Sequence, residues 1–322
     1  MDASRVAERV FPEQQVHSSD QIHEGNRKQT SVVEFVDRNP VVVQIASDID
    51  PLRSGAAVTA VIDNTTSVPV PTLLGGGVVD GAAYLVTEQV PGANLHERFS
   101  RLSAGSRRTI ITQFGRFLGE IHATDSFDAC GDLQPTSHEW TRPVWPTDTA
   151  DPELDVCDAV DPETWLRDTG MNAIERLPPA FDPEARRFRK RLSAGTVTTD
   201  DSTSAVLFPW DFRPGNALIN DDGLAALVDW EAPMAAPAAL SVAKAEYLVV
   251  DWYVEQPTAD HEAFRAGYEA VRPYPDIPPL VRTLAIVLSA VDSTGTVTNP
   301  MYPELDRSQA IRFHRSALAA SF

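Results

Sequence analysis

Lysine is almost missing from this chain of 322 residues: Lys28, Lys190 and Lys244 stand alone against 24 arginines. With no basic block to neutralise a run of phosphates, nucleic-acid binding is excluded. Cysteine is equally scarce. Cys130 and Cys157, the only two, form no CxxC pair and have no histidine pattern beside them, which argues against a structural zinc site and a disulfide framework. Long apolar runs are absent as well; stretches such as 283–291 fall far short of a bilayer span, so no membrane association is expected. Residues 1–15 carry charges throughout and lack the apolar centre of a secretory leader. These absences lead to the expectation of a cytoplasmic, reduced protein, long enough for one large or two moderate domains around a sizeable core.

Acid is what the chain has in excess. Forty-six Asp and Glu against 27 basic residues set the formal net charge at −19. An acidic composition with so little lysine resembles that of proteins from salt-loving archaea, where at about 1 M salt a Debye length of only ~3 Å screens self-repulsion. The rival reading is that the acids attract a cationic substrate. Their spread along the whole chain favours the solvent explanation, although Asp148, Asp151, Glu153, Asp155 and Asp158 are close enough in sequence to attract an amine.

The pattern of residues changes near position 90. Before it, 31–46 reads as a hairpin whose β-branched runs flank Asp37-Arg38-Asn39-Pro40. Asp50-Pro51 supplies an N-cap and a first-turn proline for a short helix ending near Asn64. A strand pair follows, its second strand at 82–89, broken by Val90-Pro91-Gly92. Gly75-Gly76-Gly77 is followed by no lysine and is expected to form a tight turn between strands rather than a phosphate loop. After the break, 106–122 has helical apolar spacing at Ile110, Phe114, Phe117, Leu118 and Ile121. Residues 125–168 read as an irregular acidic insertion opening into a helix near Trp165, 181–193 as a basic amphipathic helix, and 243–254, 263–272 and 279–291 as further helices. Tyr247, Trp252 and Tyr253 lie at helical spacing and are expected in the core rather than in a cation–π cage for a quaternary amine.

The chemistry concentrates in 206–231. Residues 217–220 and 225–228 form a hairpin closed by Asp221-Asp222-Gly223. Asp211 and Asn216 precede its first strand and Asp229 follows its second, so the folded hairpin is expected to bring the three together. Phosphoryl transfer uses such a set: one carboxylate to accept a proton from the attacking hydroxyl, and a carboxylate with an amide oxygen to hold Mg²⁺ on the phosphate oxygens.

Asp211-x-x-x-x-Asn216 with Pro214-Gly215 before the asparagine, then Asp229-Trp230-Glu231, resembles the aminoglycoside phosphotransferase and choline kinase group, distant relatives of the protein kinases, in its haloarchaeal-type form. The resemblance covers most of the chain. It implies an α+β, bilobal protein kinase-like fold, with a small β-rich nucleotide-binding lobe over 1–90 and a larger, mainly helical lobe over 91–322. It also implies a small-molecule kinase using ATP or GTP with Mg²⁺. Asp211 would be the base, Asn216 and Asp229 the metal ligands, and Arg213 a cation near the transferring phosphate. Gly25, Asn26 and Arg27 fall where the family covers the phosphates, Gln44 where it places a phosphate-binding cation, and Glu88 and Val90 at the segment that meets the base of the nucleotide. His122, in a helix that recurs in the family, is expected to be a packed structural histidine.

Three departures qualify the resemblance. Gln44 stands where a lysine or arginine is usual. Gly55 stands where a helix should offer the glutamate partner of that cation, and no glutamate occurs from Pro51 to Asn64. Pro209-Trp210-Asp211 replaces His-Gly-Asp. Arg27, Lys28 or Arg213 could restore the missing charge. Two functions follow as expectations: an active kinase acting on a small hydroxylated or aminated molecule, or a catalytically weak nucleotide- or metabolite-binding protein on the same scaffold.

Overall fold

The computed structural model describes residues 2–22, 28–136, 153–195, 205–221, 223–254 and 257–322. They form two compact units, one of 1–92, 133–157 and 218–233, the other of 93–132, 158–217 and 234–322.

The first unit is organised by a five-stranded antiparallel sheet, β1 (Val16–Ile22), β2 (Gln29–Phe35), β3 (Val41–Ala46), β4 (Leu73–Val79) and β5 (Ala82–Glu88), in the order β1-β2-β3-β5-β4. The expected hairpin is β2–β3, with Thr30 opposite Gln44 and Val33 opposite Val41. Val33, Val41, Val43 and Val86 are buried on one face. Helix α1 (Ala3–Val10) closes over that face, although its charges argue for an exposed end when read alone. Asp2 caps it by accepting from the Arg5 N–H at 2.9 Å. Ala3, Val6, Ala7 and Val10 then share one buried stripe.

Helix α2 (Ile49–Thr65) begins one turn earlier than Asp50-Pro51 suggests, with Asp48 at the cap position. Pro51 is accommodated inside the first turn, where its missing N–H has no helical acceptor to lose. Gly75-Gly76-Gly77 is a correction. These residues lie within β4, paired to Val86, Leu85 and Tyr84, and the turn is made by Asp80 and Gly81 at φ 52° and 79°. The triplet is small because the buried Tyr84 ring covers it: a Cβ at Gly77 would meet the Tyr84 hydroxyl at 3.1 Å.

The second unit is mainly helical. Helices Ala104–Thr124, Asp182–Ala194, Thr258–Glu269 and Pro279–Ala290 correspond to the expected periodic segments. Ala238–Glu246 runs into a π turn at Tyr247–Asp251. A C-terminal helix, Arg307–Ser321, is opened by a capping box of Asp306 and Gln309. The segment read as irregular in fact contains strands Cys130–Pro135 and Leu154–Val160 before helix Pro162–Arg176, while 137–152 lie outside the described residues. The buried strand Ala205–Phe208 pairs antiparallel with both Met234–Pro237 and Ser126–Phe127. Helices Ala104–Thr124 and Thr258–Glu269 approach backbone to backbone: a Cβ at Gly115 would lie 2.0 Å from the Phe264 carbonyl oxygen, and one at Gly267 would lie 2.0 Å from that of Thr112. The chain therefore has an α+β, kinase-like architecture, with a β-rich N-terminal sheet and a helical C-terminal part.

Candidate active site

In the first unit a cavity of about 330 Å³ opens on the exposed side of β2 and β3. Its walls include Val32, Val42, Leu85 and Val90, and its polar end holds Lys28, Thr30, Gln44, Asp229 and Glu231. The volume lies in the range of small-ligand pockets, and apolar walls with a few convergent polar groups are the usual composition of one. Gln44, Glu88, Val90 and Asp229 are thus brought to one cavity. At its rim Glu88 and Gln89 spend their N–H groups on the carbonyls of Thr72, at 3.0 Å, and Pro40, at 3.3 Å. Gly25, Asn26 and Arg27 lie outside the described residues.

Lys28, just before β2, is the only basic residue among the described residues lining this cavity, against three carboxylates, Glu88, Asp229 and Glu231. Its Nζ lies 2.9 Å from Asp229 Oδ1 and 2.6 Å from Glu231 Oε1, and its side chain is only 12% exposed. Burial alone would lower the pKa of Lys28, but the charges of Asp229 and Glu231 outweigh it and leave the ammonium favoured. Asp229 adopts φ 68°, a left-handed conformation open to Asp at modest cost, and Ala232 follows at φ 52°. The Trp230 indole donates to the Leu227 carbonyl at 3.1 Å and fixes the turn between them. Gly55 of α2 lies where this turn passes: a Cβ there would sit 3.4 Å from the Glu231 nitrogen.

Asp211, Arg213 and Asn216 share one loop of the second unit. The loop ends in a single 3₁₀ turn, Pro214–Asn216, closed by the Asn216 N–H on the Arg213 carbonyl at 3.0 Å. Asn216 Nδ2 donates to the Asp211 carbonyl at 2.9 Å, which commits the amide nitrogen and leaves its oxygen as the coordinating atom. Asn94 Nδ2 donates to the Gly215 carbonyl at 2.9 Å. Arg213 folds back on Gly215, 3.3 Å from a Cβ built there, and its Nε has no partner among the described residues.

Lys244, which carries no recognisable motif, is the residue that sequence reasoning missed. It rises from helix Ala238–Glu246 with its side chain 3% exposed, donates to the Trp210 carbonyl, and lies 4.6 Å from the Trp210 ring centroid and 3.6 Å from Asp211 Oδ1. Burial pulls its pKa down to about 8, with Asp211 opposing that shift and Arg213 adding to it. The signal was compositional: a lone lysine in an apolar helix of a chain that otherwise uses arginine.

His122 is a packed residue, as expected. It is buried, with Nδ1 2.8 Å from the Tyr268 hydroxyl and Nε2 2.9 Å from that of Ser241, and burial holds its pKa well below the usual value. Tyr247 and Trp252 are core residues rather than a cage.

The donors fit a hard divalent cation. Asp229 and Glu231 present oxygen ligands already bridged by a cation, and the Asn216 amide oxygen is uncommitted. No group of three or more His, Cys, Asp or Glu among the described residues forms a metal cage by itself. That pattern suits Mg²⁺, which commonly keeps one or two carboxylates and takes further oxygens from phosphate and water. No described helix is long and apolar enough to cross a membrane.

Comparison with known proteins places this geometry. A crystal structure from Ralstonia eutropha JMP134, assigned as an aminoglycoside phosphotransferase, superposes with a TM-score of 0.63 at 14% identity, over 99% of this chain and 95% of that one. A thermostable form of aminoglycoside phosphotransferase APH(4)-Ia, solved as a ternary complex with AMP-PNP and hygromycin B, gives a TM-score of 0.58 at 13% identity, over 100% and 98% of the two chains. A protein of Thermobifida fusca YX-ER1 assigned as a fructosamine-3-kinase gives 0.54 at 17% identity, over 98% of each chain. At these identities the likeness is one of fold. No curated protein matches the chain. A family model described as the phosphotransferase enzyme family matches residues 20–278, and because that span is well over half of the sequence, the chain belongs to this family.

Proposed function

We propose that the chain is an ATP- and Mg²⁺-dependent kinase that moves a γ-phosphoryl group to a hydroxyl or amine of a small molecule. The observation that carries the reading is the anchoring of the Asp211 loop. Asp211 keeps its carboxylate 42% exposed while the loop around it is held by Lys244 and by the Asn216 amide. A carboxylate that is open to a ligand and fixed in position is what general-base assistance to a hydroxyl requires. The AMP-PNP in the APH(4)-Ia complex supports ATP as the donor.

In this reading the sheet unit holds the nucleotide and the helical unit supplies the base and the acceptor site. Val90 and its neighbours meet the base of the nucleotide, and Gln44 offers a neutral hydrogen bond at the polar end of the cavity. Asn216 and Asp229 would hold the Mg²⁺, whose charge, when bound, neutralises that developing on the phosphate oxygens. Asp211 orients the acceptor and takes its proton, while Arg213 adds positive charge near the transferring group.

Asp211→Asn tests this directly. Turnover should fall by roughly 10²–10⁴, the ordinary weight of general-base catalysis, with nucleotide affinity unchanged. Gln44, Gly55 and Pro209-Trp210 favour a second reading, a weakly catalytic binding protein. If the parent phosphorylates nothing in a screen of hydroxyl and amine metabolites, yet binds nucleotide, that second reading replaces the first.

A further inference from the structure

The polar end of the sheet-unit cavity has an unusual charge arrangement. Thr30 and Gln44, paired across β2 and β3, line it as neutral groups, and α2 brings no carboxylate to it. Its charge comes from Lys28, Asp229, Glu231 and the more distant rim residue Glu88, so acid outnumbers base among the described residues. A polyphosphate entering such a cavity meets net repulsion unless a cation accompanies it and the lysine turns towards it. In this structure Lys28 does the opposite, reaching Glu231 at 2.6 Å and Asp229 at 2.9 Å. The carboxylate opposite the lysine comes from the 229–231 turn that passes Gly55, not from α2 itself. Lysine suits this place better than arginine, because a compact ammonium on a flexible stem can leave one set of oxygens for another, whereas a planar guanidinium is built to stay on one fork.

Resting on the nucleotide reading given above, we propose that Lys28 is the cavity's phosphate-binding cation and also a latch on the Asp229–Glu231 pair, competing with divalent metal for the same two carboxylates. With the carboxylates occupied by metal, the ammonium is released towards the anionic end of the ligand. The cationic function that β3 lacks at Gln44 is then supplied from the start of the neighbouring strand, and one lysine couples metal binding to phosphate binding.

The test uses the full-length parent, Lys28→Met, Lys28→Arg and the double variant Lys28→Met/Gln44→Lys, with thermal melts confirming that each is folded. Mn²⁺ alone, followed by electron paramagnetic resonance, should bind Lys28→Met more tightly than the parent, because the competing cation is gone. ADP, followed by calorimetry, should bind Lys28→Met at least about tenfold more weakly, the scale of losing one buried partner of a charged contact. The double variant should recover part of that affinity, since position 44 lines the same cavity. Equal or weaker Mn²⁺ binding by Lys28→Met overturns the latch, and unchanged ADP affinity overturns the phosphate role. If the parent binds no nucleotide, the nucleotide reading fails and takes the phosphate role with it. The Mn²⁺ measurement still decides the latch by itself. Should Lys28→Met melt as unfolded, Lys28→Arg decides: Mn²⁺ and ADP affinities both equal to the parent's overturn the proposal, because a guanidinium cannot exchange between the two sets of oxygens as an ammonium does.

Discussion

Two of the three lysines in this chain lie beside candidate carboxylates, one in each unit, and their surroundings treat them oppositely. Lys28 touches two acids, and their charges hold its pKa above the ordinary value despite burial. Lys244 is more deeply enclosed and reaches its single acid at 3.6 Å, while Arg213 repels it; burial prevails and its pKa falls to about 8. The first is a charge stored where it can be released. The second is a pin, spent on the Trp210 carbonyl and ring, that holds the loop before the candidate base. A cation keeps its charge in a protein interior when its partners are close and paired, and loses it when enclosure exceeds pairing.

The largest expected effect comes from the carboxylate side of the comparison. Asp229→Ala should abolish the Mg²⁺-dependent tightening of nucleotide binding while the fold stays intact; calorimetry giving equal Mg²⁺ coupling in variant and parent would remove Asp229 from the metal site. Next is the pin. Lys244→Met should lower kcat by up to about 10²-fold, the scale of a small misplacement of a catalytic group, with KM for the nucleotide little changed. The same variant sharpens the electrostatic contrast. The folded chain gives up the Lys244 proton near pH 8 and the unfolded chain near 10.5, so in that window the unfolded state binds more protons and parental stability gains from rising pH. Lys244→Met should lose that gain in melting temperature.

His261 provides a counterweight of opposite sign. It bridges Asp251 at 2.8 Å and Glu246 at 3.2 Å, and although burial opposes protonation, these acids raise its pKa to about 9. Its contribution is complete below about 6.5 and disappears as pH rises through 9. His261→Gln should therefore be less stable than the parent at pH 6 and equal to it near pH 10; a gap that does not narrow with pH would refute the assignment. The smallest effects belong to the exposed acids taken singly. If the charge of −19 is an adaptation to salt, the melting temperature should climb between low and molar KCl. A flat profile would return those acids to a substrate-binding role.

Periodicity and turn chemistry made the β2–β3 hairpin, helix 104–124 and the helices at 258–269 and 279–290 legible, because each has a clear apolar face or a strong breaker. Helix α1 was legible too, through Asp2 and the stripe Ala3, Val6, Ala7 and Val10, but a reading that weighs charge before spacing passes over it. The β4 glycines were not, since their smallness answers to Tyr84 across the sheet rather than to their own backbone. At the site, Asp211, Asn216 and Asp229 could be proposed from local spacing alone. Lys28 could be offered only as one of three cations that restore the charge missing at Gln44. Its choice over the others depends on a contact spanning 201 positions, and the place of Lys244 on packing 34 positions away from Trp210. Neither separation leaves a periodic trace.

The reciprocal fit of Gly115 and Gly267 determines how the helical unit can move. Each glycine receives the other helix's carbonyl where a methyl group would stand, and the His122–Tyr268 hydrogen bond ties the same two helices further along. Domain motions are of two kinds, hinges that rotate and shears that slide packed helices past one another. Sliding here would drive a carbonyl oxygen into the next residue's Cβ, so this helix pair has no shear coordinate. It travels as one beam, and any adjustment of the unit to ligands of different size falls to the elements around it.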